Sequence, residues 1–149
     1  MEQQCQQVLQ ANGFQILQPL GKGAFGHVFQ VKDKQLGVIA AKVMNEDEFD
    51  QNEWNNSVQK IRGEQNPFAL KYHSVKTLDD SAVILMEYAN MKNLDILIGA
   101  KKDIPIPIIR ALMRQILEGL RLMHENGLIH RNIKGQNILL HSTPGSGRV

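Results

Sequence analysis

Short apolar stretches separated by turn residues dominate the first 88 residues of the chain. Alternating or β-branched apolar stretches of this length are typical of β-strands. They predict five strands, at Phe14–Leu20, Val28–Val31, Val38–Val43, Tyr72–Lys76 and Ala82–Tyr88. Between the third and the fourth, Trp54, Val58 and Ile61 recur at helical spacing and predict one short helix. The first half is therefore expected to be a sheet that carries a helix.

After Tyr88 the apolar spacing becomes helical. Asn93 is predicted to cap a short helix over Leu94–Ile98, because an asparagine side chain accepts a hydrogen bond from an unpaired amide of the first turn. A longer helix is expected to begin near Pro107 and to end at Asn126-Gly127. Its apolar residues form one stripe, which indicates packing: Ile109, Leu112, Met113, Ile116, Leu117, Leu120 and Met123. A short strand is expected over Ile138–Leu140.

Composition indicates a folded domain, with 42% apolar residues among 149. The 17 basic and 15 acidic side chains nearly cancel, and no block of like charges suggests nucleic acid or a membrane surface as a partner. No apolar run is long enough for a membrane span or a signal peptide, so a cytoplasmic protein is expected. Residues 1–13 are rich in glutamine and predict a polar tail or a frayed helix, in which Cys5 has no assigned task.

A glycine-rich segment, Gly21-Lys22-Gly23-Ala24-Phe25-Gly26, lies between the first two predicted strands. Glycines at this spacing let backbone amides approach a phosphate without interference from side chains. A dinucleotide-binding turn would continue into a helix, whereas Val28–Val31 alternates like a strand. The pattern therefore favours a hairpin that covers a nucleotide, and a glycine-rich hairpin without a ligand is the alternative.

Lys42 lies inside the apolar third strand. Burying an ammonium group is unfavourable unless an anion accompanies it, so Lys42 is expected to point toward a phosphate or a carboxylate. The alternative is a partly exposed edge lysine. Among the acids that follow, Glu53 is favoured as its partner because the predicted helix would direct it toward the sheet, and Glu48 is the competitor.

Histidine, cationic and carboxamide side chains follow the long helix in the loop His130–Asn137, a set suited to phosphate and metal coordination. The three motifs in this order, with Met86-Glu87-Tyr88 closing the fifth strand, resemble the eukaryotic protein kinase domain of the Ser/Thr type. The resemblance runs from residue 14 to residue 149. It implies an α+β fold, with a five-stranded antiparallel small lobe and hinge over 14–89 and the first helices and catalytic loop of a helical large lobe over 90–149.

The resemblance implies a role for individual residues in binding ATP and Mg²⁺. Gly21, Gly23 and Gly26 would cover the phosphates, while Lys42 would hold them and pair with Glu53. The gap between these two residues is shorter than the family usually shows, which keeps Glu48 as the alternative. The positions expected around adenine are Leu20, Val28, Ala40 and Leu139, with Met86 as gatekeeper and Glu87 and Ala89 in the hinge. Asn137 would bind Mg²⁺, and Lys134 is the lysine typical of Ser/Thr kinases.

Two departures from the family pattern bear on catalysis. Asn132 stands where the family has its catalytic aspartate, and a carboxamide cannot accept the proton of a substrate hydroxyl. The sequence contains no Asp-Phe-Gly motif and ends at Val149, near where the family enters the strand leading to it. We expect weak ATP binding, negligible transfer to a protein substrate and an exposed apolar face on the long helix. The alternatives are a pseudokinase-like module that binds nucleotide or docks a protein partner, and a small-molecule phosphotransferase that shares the lobe.

Overall fold

The chain divides into two units in a computed structural model that describes residues 2–23, 26–50, 54, 66–78 and 80–143. The first unit comprises Met1–Val58 and Leu70–Tyr88, and the second comprises Gln59–Ala69 and Ala89–Val149. Glu53 and most of the helix predicted around Trp54 lie outside the described residues.

A five-stranded antiparallel sheet forms the first unit, in the order β1-β2-β3-β5-β4. Its strands are β1 Gln15–Gly23, β2 Gly26–Asp33, β3 Gly37–Asn45, β4 Tyr72–Leu78 and β5 Ser81–Met86. All five predicted strands are confirmed. The fifth strand was predicted to reach Tyr88, whereas β5 ends at Met86. The next residue, Glu87, still donates its amide to the carbonyl of Lys71 at 2.8 Å, but Lys71 precedes β4, which begins at Tyr72.

Both faces of the sheet are apolar, because successive side chains of a strand point to opposite sides. One face packs Phe29, Val31, Ile39, Ala41, Val43, Val83 and Leu85 into a core. The other gathers Ala40, Met44, Ala82, Ile84 and Met86, with Phe49, Trp54 and Tyr72 against them. A sheet that is apolar on both faces needs cover on both, and this requirement decides the role of the N-terminal residues.

The N-terminal residues form a helix, α1 Glu2–Ala11, that packs on the first of these faces. Leu9 is fully buried there and Val8 nearly so, and the amide of Phe14 binds the carbonyl of Leu9 at 3.1 Å. Of the two predictions for this segment, a polar tail or a frayed helix, the structure shows a helix, and it is packed on the core. With so few apolar residues among its glutamines, the segment gave little periodic signal, and burial against the sheet stabilises it instead.

The second unit contains two α-helices among its described residues, α2 Leu94–Gly99 and α3 Ile106–Glu125. The predicted cap is confirmed, since Oδ1 of Asn93 accepts a hydrogen bond from the Ile96 amide at 3.0 Å. Gly127 follows α3 with a φ of +68°, as expected for a left-handed helix stop. The strand predicted over Ile138–Leu140 is reduced to a single bridge between Leu139 and Asn93.

The apolar stripe of α3 is partly exposed, with three of its seven residues exposed and four half-buried. Ile109, Met113 and Leu117 are 44–60% exposed. One point on the helix is closely packed, because a Cβ on Gly119 would lie 2.9 Å from the Cβ of Phe68. The buried Asn66 contacts the same glycine, because its Nδ2 donates a hydrogen bond to the carbonyl of Gly119 at 3.0 Å. The residues before β4 thus pack on α3, within the second unit.

Candidate nucleotide site and catalytic loop

The glycine hairpin is formed by the facing ends of β1 and β2, where Gly23 pairs with Gly26 and Gly21 with Val28. A Cβ built on Gly21 would meet no atom within 4 Å, and on Gly23 the nearest atom lies at 3.8 Å. Gly26 differs, because its φ is +144° and a Cβ there would lie 2.1 Å from the carbonyl oxygen of Val43. Gly21 and Gly23 therefore leave the backbone open to a ligand, whereas Gly26 allows β2 to lie against β3.

Lys42 sits in the middle of the sheet, paired with Val28 on β2 and Ile84 on β5. It is half-buried, and this burial lowers the pKa of its ammonium group, while the charge of Glu48 acts in the opposite direction. An ammonium group that has lost part of its hydration gains more from a nearby anion than a solvated one. Its position fits a phosphate ligand. Glu48 is exposed on the one-turn 3₁₀ helix Glu46–Glu48, and Glu53 lies outside the described residues.

The apolar residues predicted around adenine are divided between the two units. Ala40 pairs with Met86, and both are buried in one cluster, against which the half-buried Val28 packs. Leu20 lies at a bulge of β1 and is 41% exposed. Leu139, 47% exposed, belongs to the second unit. The structure thus brings three of the five candidates together within the first unit.

Glu87 is held to Lys71 by two hydrogen bonds. Its amide donates to the Lys71 carbonyl at 2.8 Å, and its Oε2 accepts from the Lys71 amide at 3.3 Å. The Glu87 amide is therefore engaged within the first unit. The chain passes from the first unit to the second between Tyr88 and Ala89, so Ala89 begins the second segment of the second unit.

The catalytic loop is ordered by its own side chains. Nδ2 of Asn137 donates to the carbonyl of Asn132 at 2.9 Å, and the Asn132 amide donates to Nδ1 of His130 at 3.3 Å. Arg131 between them has a φ of +61°, a conformation that costs a non-glycine residue about 1–2 kcal/mol. These bonds hold the Asn132 backbone and leave Oδ1 of Asn137 as a ligand oxygen. Lys134 is exposed directly before the 3₁₀ turn Gly135–Asn137.

A family model described as the protein kinase domain matches residues 14–146. The chain belongs to the protein kinase family. It is 30% identical over 134 residues to a probable serine/threonine-protein kinase of Clostridium perfringens, covering 87% of this chain and 20% of that protein. It is 32% identical over 137 residues to the serine/threonine-protein kinase TAO2 of Rattus norvegicus, covering 89% of this chain and 11% of that protein.

A third relative, serine/threonine-protein kinase 10 of Xenopus tropicalis, is 30% identical over 132 residues, covering 85% of this chain and 14% of that protein. The matched segment is thus a small part of each relative's length. The match supports the N-terminal part of a kinase domain of the Ser/Thr type, a family that generally uses ATP and Mg²⁺. Of the helices described here, none has the length and apolar character needed to cross a membrane.

The kinase residues described here fit a triphosphate better than they fit a metal ion. The open backbone at Gly21 and Gly23 and the half-buried Lys42 suit phosphate oxygens. Mg²⁺ requires six oxygen ligands in near-octahedral geometry, several of them from water or phosphate. Asn137 offers one oxygen, and no group of three His, Cys, Asp or Glu residues is found among the described residues. These residues alone do not complete a magnesium site.

Sequence reasoning did not identify two residues, Lys71 and Asp95, that contact the segments carrying the candidate site residues. Lys71 fixes Glu87, and Asp95 at the start of α2 supports the catalytic loop, since a Cβ on Gly135 would lie 3.1 Å from its amide and its Oδ1. Neither residue belongs to a motif. Their roles arise from contacts between segments distant in sequence, which periodicity and spacing do not reveal.

Proposed function

We propose that this chain is a nucleotide-binding part of a Ser/Thr-type protein kinase domain in which phosphoryl transfer is strongly impaired. Gly21, Gly23 and Lys42 hold the phosphates of ATP. Val28, Ala40 and Met86 form the apolar wall against adenine, and the family pattern gives Leu20 and Leu139 the same role. The Glu87 carbonyl and the Ala89 backbone bind the purine edge, and Asn137 supplies one ligand to a magnesium ion that arrives with the nucleotide.

The observation that carries the proposal is the hydrogen bond from Nδ2 of Asn137 to the Asn132 carbonyl, at 2.9 Å. This bond holds the loop between the proposed magnesium ligand and residue 132, which is a carboxamide. A carboxamide orients a hydroxyl but does not take its proton. General-base assistance is worth about 10²–10⁴ in rate, so its loss removes much of the transfer activity without affecting phosphate binding. Lys134, exposed in the same loop, is the lysine typical of Ser/Thr kinases.

Nucleotide binding is tested by titrating the 149-residue chain with MgATP in a calorimeter. We expect Lys42→Met to weaken binding by about tenfold, the effect of losing a charge-assisted hydrogen bond. Lys34→Met is the matched control, because Lys34 is exposed in the turn between β2 and β3. Equal affinities of Lys42→Met and the unaltered chain would contradict the phosphate assignment. Glu48→Gln and Glu53→Gln, compared in the same titration, identify the acid that supports Lys42.

Transfer is tested with radiolabelled ATP and a mixture of serine- and threonine-containing peptides. We expect incorporation by the unaltered chain to stay at background. Robust phosphorylation that Lys42→Met abolishes would refute the proposed impairment.

The alternative is a pseudokinase-like module in which bound nucleotide supports docking of a protein partner. The carboxamide at residue 132 favours it. Asn132→Asp distinguishes the two in a chain that continues through the Asp-Phe-Gly motif and the remaining large lobe of a relative. Transfer gained by this substitution indicates a kinase with one defect. Unchanged background transfer, with nucleotide still bound, indicates the docking module.

A further inference from the structure

A groove of about 600 Å³ lies between α1 and the end of the sheet that bears the glycine hairpin. We call it the α1 groove. Val8 of α1 and Val43 of β3 are among its apolar walls, and the backbone of Gly23 and Gly26 forms part of its edge. Neither Lys42 nor Ala40 lines it, so it shares only the backbone of the glycine hairpin and the candidate acid Glu48 with the proposed nucleotide site. Its volume falls in the range of sites that bind small molecules or short peptides.

The charged side chains of the α1 groove are separated by sign. Lys22 lies on the edge strand β1, while Glu48 and Asp80 line the groove from the turns that flank β3 and β5. These two turns are close together, because the Glu46 amide donates to the Asp80 carbonyl at 3.2 Å. The groove therefore has a cationic side and an anionic side.

The order of the strands gives the width of sheet that a peptide crosses between the two sides. Lys22 pairs with His27, His27 with Val43, and Val43 with Val83 of β5. Three strand spacings of about 4.8 Å separate the backbones of β1 and β5 along this row, or roughly 14 Å, and Glu48 and Asp80 lie in the turns beyond it. An extended peptide rises about 3.3 Å per residue, so it needs at least about four residues to cross that width.

We propose that the α1 groove docks an extended peptide segment of a partner protein that carries an acidic and a basic residue about four positions apart. The acidic residue binds Lys22, the basic residue binds Glu48 and Asp80, and small apolar residues between them cover Val8 and Val43. Opposite charges at the two ends fix the register and direction of the peptide. Opposed charges with an apolar centre favour this occupant over a purely apolar or purely anionic one.

The test uses the 149-residue chain and the fluorescein-labelled peptide Arg-Ala-Leu-Ala-Glu, acetylated and amidated at its ends, with binding measured by fluorescence anisotropy. We expect saturable binding that Lys22→Glu weakens by about threefold to tenfold, since it replaces attraction by repulsion at a partly exposed site. The same substitution makes both ends of the groove acidic. It should therefore raise affinity for the peptide Arg-Ala-Leu-Ala-Arg by a similar factor.

Two matched variants control for net charge. Lys34→Glu changes an exposed lysine away from the groove. Asp47→Lys changes an exposed acid next to Glu48 in sequence, and Asp47 itself does not line the groove. His27 reports the location of binding, because its ring lines the groove and its Nε2 is buried without a partner among the described residues. We expect its imidazole resonances to shift when peptide binds.

Three results would overturn the proposal. They are non-saturable binding, an equal effect of Lys22→Glu and Lys34→Glu, or unshifted His27 resonances at saturating peptide. Circular dichroism of each variant confirms that the fold is retained, and Glu48→Lys repeats the test from the opposite end of the groove.

Discussion

Gly26→Ala is expected to destabilise the first unit, whereas Gly21→Ala is not. Both glycines belong to the glycine hairpin between β1 and β2, but their surroundings differ. A Cβ on Gly26 would lie 2.1 Å from the carbonyl oxygen of Val43, while one on Gly21 would meet no atom within 4 Å. Gly26 also has a φ of +144°, which alanine adopts only with strain.

The size of the effect follows from these two terms. Relieving the contact requires β2 to move from β3 by more than 1 Å, which disrupts the pairing of His27 with Val43. Loss of one or two such hydrogen bonds costs about 0.5–1.5 kcal/mol each. The strained backbone adds about 1–3 kcal/mol. The free energy of unfolding should therefore fall by about 2–5 kcal/mol, a large share of the 5–15 kcal/mol typical of a domain.

Urea unfolding followed by tryptophan fluorescence measures this loss. The chain has one tryptophan, Trp54, whose ring packs edge-on against Tyr72 at 5.0 Å within the first unit. For an m-value of about 2 kcal/mol per molar urea, the midpoint of Gly26→Ala should fall by roughly 1–2.5 M. Gly21→Ala should change the free energy of unfolding by less than about 0.5 kcal/mol and weaken MgATP binding instead.

Equal midpoints for the two alanine variants would refute this reasoning. Such a result would mean that β2 and β3 separate at the hairpin without cost. A lower midpoint for Gly21→Ala than for Gly26→Ala would also contradict it, since the space around Gly21 accepts a methyl group.

Two further predictions concern stability and its dependence on pH. Leu9→Ala should lower the free energy of unfolding by about 2–5 kcal/mol because Leu9 is fully buried. Leu17→Ala, at a 44% exposed position of β1, should lower it by less than about 1 kcal/mol. Equal losses in urea unfolding would show that α1 is not part of the core. The amides of Leu36 and Gln35 both donate to Oδ1 of Asp33 at 2.8 Å and lower the pKa of that carboxyl group. A lowered pKa in the folded state stabilises the fold above the unfolded value of about 3.9, and the contribution is lost as the pH falls through the folded pKa. Asp33→Asn should therefore lower the urea midpoint at pH 7 and lower it by less at pH 3. An equal difference at both pH values would contradict the assignment.

The sequence alone determined the elements whose signals are local. The five strands followed from short apolar stretches, α2 from its Asn93 cap, and α3 from an apolar stripe that ends at Gly127. The family also followed from local motifs, because the residues that contact phosphate and metal occur in short segments of fixed spacing.

Only the tertiary structure decided how distant segments contact one another. The glutamine-rich N-terminus became part of the core because α1 covers one of the two apolar faces of the sheet. That both faces are apolar is a property of the assembled strands. The distinct role of Gly26 depends on the Val43 carbonyl, seventeen residues away in the sequence. The opposite charges of the α1 groove come from Lys22, Glu48 and Asp80, which the sheet order brings around one space. Local periodicity reports what one segment prefers, whereas packing between segments is fixed only when the whole chain has folded.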